Sequence, residues 1–183
     1  MRVLLFILFS LFCVSCFSNN DKIIVHDNEK AVNKQLAYSE KILSEKYNIR
    51  PRAITVAMPE GDIQYLELKF DMQGPLSKSN IRELLVNIVN DFLLNINNDK
   101  ELCGYIKKGH LEISEVGITL FLRDSTGRSI GQPNIGVAFI ERGILTFVNL
   151  EPEAIPSFRD NVNETYEEAL EILRCQREFT MVQ

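Results

Sequence analysis

Eight apolar residues recur through 81–96 in a rhythm of three and one: Ile81, Leu84, Leu85, Ile88, Val89, Phe92, Leu93 and Ile96. That spacing follows the 3.6-residue turn of an α-helix and makes one broad hydrophobic stripe. A stripe of this width must be covered, and the apolar side of a β-sheet is the natural cover. A helix lying on a membrane surface would instead pair its stripe with a basic polar side, which this one lacks. Asn80 and Glu83 fit a capping box at its start, and Asn95, Asn97 and Asn98 mark a fraying end.

The surrounding segments supply that sheet. Residues 29–47 read as a first helix with Val32, Leu36, Ile42 and Leu43 near one side, Asn28 as its cap and Pro51 beyond its end. Residues 53–58 and 63–70 alternate apolar and polar positions around the turn residues 59–62, which predicts a hairpin. Residues 118–123, 135–140 and 144–150 predict three more strands, with Glu112 and Ile113 as a possible short addition. Pro152 and Pro156 make 151–163 a connector. Thr165 and Glu168 then form a capping box for a final helix that turns Tyr166, Ala169, Leu170 and Leu173 inward. The expectation is an α+β domain: an antiparallel sheet of about five strands covered by helices, in the order α-β-β-α-β-β-β-α.

The N-terminus reads differently. Arg2 precedes an apolar run from Val3 to Phe9, continued by Leu11, Phe12 and Val14, and Ser18 to Asp21 end it abruptly. A dozen or so apolar residues fall short of the about 20 needed to span a bilayer, and the order of charge, apolar run and small residue is that of an export signal. Val14, Ser15 and Cys16 resemble the end of a bacterial lipoprotein signal, with Cys13 standing where such signals usually carry Leu, Val or Ile. The resemblance implies lipidation at Cys16 and a domain tethered to a membrane of the cell envelope. Ordinary cleavage near Ser15 and retention as an uncleaved anchor are the competing readings, and a buried N-terminal element of the domain is another. The expected organisation is a signal peptide over 1–15, a tether over 16–28 and one domain over 29–183. About 165 residues without the leader suffice for one sizeable core.

Export bears on the cysteines. With Cys13 and Cys16 in the leader, Cys103 and Cys175 remain as a disulfide candidate, two buried thiols being the alternative. The formal charge of -5 and the lack of a Lys/Arg-rich stripe argue against nucleic-acid binding. No metal or cofactor is expected. His26 and His110 are the two histidines, the first in the tether and the second beside Gly109 in a turn, and no HExxH, CxxC or calcium-loop pattern occurs. Ser125, Ser129 and Ser157 lack a GxSxG setting for nucleophilic chemistry.

Two functions follow as expectations. The first is an exported envelope protein with a binding or structural role, recognising a protein partner or a small acidic ligand through surface loops. Its best element is loop 124–134, where Arg123, Arg128 and Gln132 offer directional donors and Gly127, Gly131 and Pro133 punctuate the backbone. A plain flexible hairpin loop is the simpler alternative. The second function is a small envelope hydrolase using paired carboxylates drawn from Glu67, Glu112, Glu115, Asp124 and Glu141. With 25 acidic residues in the chain, solvated surface is the ordinary explanation for such groups.

Overall fold

The computed structural model describes residues 27–150 and 159–181. The expected signal peptide, Cys16 and most of the expected tether lie outside the described residues, as does much of the expected connector. The domain is α+β, with helix α1 (Asp27–Tyr47), strands β1 (Arg50–Ala57) and β2 (Tyr65–Gln73), and the striped helix α2 (Lys78–Asn97). A short α3 (Lys100–Cys103) leads to β3 (Val116–Arg123), β4 (Ile135–Glu141), β5 (Ile144–Asn149), β6 (Arg159–Thr165) and α4 (Tyr166–Met181). No helix among the described residues is long and apolar enough to cross a membrane.

Among the described residues the sheet has six strands in chain order, β1 through β6, instead of about five. Neighbours pair antiparallel with one exception: β2 and β3 run parallel, because α2 carries the chain back between them. The extra strand is β6, which begins inside the expected connector. It opens with Arg159, beyond both prolines, and its polar residues pair with β5 from Asn149↔Arg159 to Ile144↔Thr165.

Pairing aligns Leu66, Leu68 and Phe70 of β2 with Val116, Ile118 and Leu120 of β3, then with Ala138 and Ile140 of β4 and Leu145 and Phe147 of β5. This face joins one buried cluster with Ile81, Leu85, Ile88, Val89, Phe92 and Ile96 of α2. Phe70 and Phe92 are fully buried within it. Helix α1 is locked to α2 by Asp91, whose Oδ2 accepts from Lys46 Nζ at 2.5 Å and from the Tyr47 hydroxyl at 2.6 Å. Burial, together with that carboxylate, pushes the Tyr47 phenol up to about 12.

Helix ends differ in how well the sequence announces them. At α4, the Thr165 amide donates to Glu168 Oε2 at 2.7 Å and the Glu168 amide to Thr165 Oγ1 at 3.1 Å, the expected reciprocal cap. At α2 the cap is Ser77, which accepts from the Asn80 amide at 3.2 Å, so the helix starts before the expected Asn80–Glu83 box. The far end of α2 is clamped: Asn97 accepts from the Leu111 amide at 2.8 Å and donates to its carbonyl at 2.9 Å. Residues Ile113–Glu115 form a 3₁₀ turn, not a short strand.

The proposed Cys103–Cys175 disulfide is corrected: both thiols are free. Cys103 lies at the C-terminal end of α2, its Sγ donating to the Asn97 carbonyl at 3.5 Å. Cys175 lies at the other end, beside Gln176, whose Oε1 accepts from Ser79 Oγ at 3.0 Å. Ser79 and Asn97 stand about 27 Å apart along the helix at the usual rise per residue. A disulfide tolerates at most about 7 Å between its Cα atoms.

Candidate functional site

The sheet face opposite the helices carries a polar network that ends in a cleft. Glu67 accepts from Thr119 Oγ1 at 2.7 Å and pairs with Lys69 at 3.1 Å. Further along β2, Asp71 receives Arg123 Nε at 2.6 Å and Arg52 Nη1 at 3.1 Å. Both guanidinium groups lie over the Phe121 ring, Arg52 at 4.5 Å and Arg123 at 5.6 Å from its centroid. The register explains this convergence: Asp71 faces Phe121 on one side and Arg50 on the other.

Beyond Asp71 the strand ends and the first half of loop 124–134 enclose a cleft of about 420 Å³. Its walls are Asn48, Arg50, Asp71, Met72, Gln73, Arg123 and residues 124–127. Asn48 turns the chain from α1 into β1 in the left-handed region, at φ 52°, a conformation Asn tolerates better than most residues.

Loop 124–134 is held at several points. The Asp124 carboxylate accepts from the Thr126 amide at 2.8 Å, the Thr126 hydroxyl at 2.7 Å and the Arg128 amide at 2.9 Å. Gly127, at φ 83°, makes the left-handed step this turn requires. Arg123 Nη1 also donates to Ser129 Oγ. Ile130 is buried and its amide donates to the Leu122 carbonyl at 3.2 Å, while the Gln132 amide donates to Leu150 at 3.1 Å. These ties fold the loop against the end of the sheet.

The three expected binding residues therefore separate. Arg123 lines the cleft but is committed to Asp71 and Ser129, so it acts as a brace. Arg128 is exposed, next to the cleft wall at Gly127. Gln132 is exposed but is not part of that wall. Sequence reasoning missed Arg50, Asn48, Asp71 and Gln73, which only strand register brings together.

The candidate hydrolytic carboxylates are scattered by the fold. Glu67 and Asp124 are bonded as described, Glu112 and Glu115 both face Lys108, and Glu141 is exposed at the end of β4. The carboxyl group raised by desolvation is Glu40 on α1, outside that set. Among the described residues no three His, Cys, Asp or Glu side chains gather to hold a metal, and His110 is exposed in its turn.

The Thr126 hydroxyl, with the Arg128 and Thr126 amides, holds Asp124 below the usual carboxylate range. A group depressed on folding stabilises the turn above its unfolded pKa and loses that contribution as pH falls through the folded one. In an NMR titration the Thr126 and Arg128 amides are expected to shift together with a midpoint below the ordinary value of about 3.9. A midpoint at or above that value would show that the carboxylate does not organise the turn.

Compared with family models, curated proteins and solved structures, the chain matches none.

Proposed function

We propose that this chain is an exported protein of a bacterial envelope, tethered through Cys16, whose domain binds an acidic group of a protein partner in the cleft beneath loop 124–134. One observation carries the binding half: the acids of the cleft are held by internal partners, while Arg50 in its wall and Arg128 beside it form no salt bridge among the described residues. Asp71 is paired with Arg52 and Arg123, and the charged Asp124 carboxylate is turned into its own loop by the Thr126 and Arg128 amides. Arg50 and Arg128 are exposed and neither comes within salt-bridge distance of a carboxylate among the described residues, Arg128 acting on Asp124 only at longer range. A carboxylate at the mouth of the cleft would meet Arg50 in its wall, with Arg128 next to that wall, without breaking an internal ion pair, which suits charge-assisted hydrogen bonding. The order of charge, apolar run, small residue and cysteine in the leader supports the address.

The probe is a hexapeptide of alternating Asp and Glu, titrated by calorimetry into the full-length protein. Binding is expected to weaken by about tenfold or more in the Arg50→Ala/Arg128→Ala double variant, since charged hydrogen bonds contribute about 1.5–3 kcal/mol each. It should also fall as salt is raised. Equal affinity of the wild type and the double variant, or no binding of the acidic peptide at all, would reject this cleft as the site.

A further inference from the structure

The structure points to a second surface: we infer that β1 pairs antiparallel with β1 of another copy of this chain, joining two sheets edge to edge. The pairing needs no ligand in the cleft, although Arg50 borders both surfaces.

Among the described residues β1 and β6 are the two edges of the sheet. β6 is a poor template, with Arg159, Asp160, Asn161, Asn163 and Glu164 among its seven residues. β1 differs, because its second half, Ala53 to Ala57, is uncharged and contains Ile54, Thr55 and Val56, residues suited to strands. Native edges are usually blunted by charge, proline or a bulge. Here Arg50, Pro51, Arg52 and the bulge between Pro51 and Ala53 protect only the first half.

The geometry of the bare half favours self-pairing. Ile54 and Val56 share the helix-covered face with their partners Leu68 and Leu66, yet α1 leaves them 42% and 38% exposed. A groove of about 600 Å³ opens there between α1 and β1, with Val32, Val56 and Met58 in its walls. The Ala57 carbonyl is taken by the Gln64 amide at 2.9 Å, so Ala57, Thr55 and Ala53 direct their backbone groups toward β2. By alternation, Ile54 and Val56 direct theirs outward. Centred on Thr55, two antiparallel copies would oppose Ile54 of each to Val56 of the other as hydrogen-bonded pairs. Their apolar side chains would then form one continuous strip over the joint.

Charge selects the same arrangement. Arg50 and Arg52 flank the bare stretch on one side, and Glu60 and Asp62 on the other. Antiparallel pairing brings the basic end of each copy against the acidic end of its partner, whereas parallel pairing would stack like on like.

The test uses the full-length protein with Cys13, Cys16, Cys103 and Cys175 all replaced by Ser, in which Thr55→Cys or Ala57→Cys is oxidised under mild conditions. Across the two-fold axis, the residue at position 55 forms a non-hydrogen-bonded pair with its copy, with Cα atoms about 4.5 Å apart, inside disulfide range. Thr55→Cys is therefore expected to give mostly a covalent dimer whose peptide map shows a 55–55 link, and Ala57→Cys none. Adding Val56→Lys, with folding verified by circular dichroism, should abolish the link, and the unmodified protein should sediment as a dimer that Val56→Lys dissociates. A monomeric Thr55→Cys protein, equal linking through Ala57→Cys, or a dimer indifferent to Val56→Lys would overturn the inference.

Discussion

Arg82→Leu is expected to destabilise the domain by about 3–5 kcal/mol, the cost of leaving one member of a buried ion pair alone. Arg82 and Glu164 are 6% and 8% exposed and meet through two hydrogen bonds, Nε to Oε1 at 2.6 Å and Nη2 to Oε2 at 2.9 Å. The pair joins the middle of the fold to its far edge, since Arg82 lies on α2 and Glu164 on β6. Lys78, 3.5 Å from the same carboxylate and more exposed, compensates in part, which favours the lower end of the range. For a domain of this size the melting temperature should fall on the order of 10 °C. Urea denaturation of Arg82→Leu, Glu164→Leu and the double variant checks the cause. The double variant should recover much of the loss, because two apolar groups leave no buried charge. A single variant within about 1 kcal/mol of wild type would show that the pair does not hold β6 in place.

Gly136→Ala should lose about 3 kcal/mol, near the upper end of what overpacking usually costs. A Cβ there would stand 2.3 Å from the Ile130 carbonyl oxygen and 2.8 Å from the Leu150 side chain. The first neighbour is backbone, so the clash cannot be relieved by rotating a side chain. Gly136 lets loop 124–134 fold down onto the sheet, where Ile130 is buried. Displacing Ile130 would pull on the second half of the loop and loosen the cleft in front of it. Chemical denaturation gives the cost directly, and a change below about 0.5 kcal/mol would mean the loop accommodates a methyl group without moving.

The parts of the fold legible in the sequence are those written in local periodicity. The α2 stripe needs no distant information, and six of its eight residues are buried as a helix face requires. The Thr165–Glu168 box is equally local. By contrast, β6 carries a charged residue at a buried position, and the guanidinium that makes this tolerable is 82 residues away. A strand of that composition reads as loop until its partner is known. The parallel β2–β3 pair is likewise a consequence of where α2 packs.

The site was legible only in part, for the same reason. Loop 124–134 stands out by its glycines and its length, but Arg123, Arg128 and Gln132 resemble one another in sequence. Strand pairing assigns Arg123 to Asp71, leaves Arg128 at the rim and adds Arg50 from the start of β1. The cysteines fail on geometry too, since Cys103 and Cys175 sit at opposite ends of α2.

The proposed tether and export are tested most directly by mass spectrometry of the native protein taken from the membrane fraction of its own cells. The expected N-terminal peptide begins at Cys16, carries the mass of a lipid on that residue and lacks residues 1–15. A peptide in which Val14 and Ser15 remain joined to Cys16, with its thiol free, would contradict the tether.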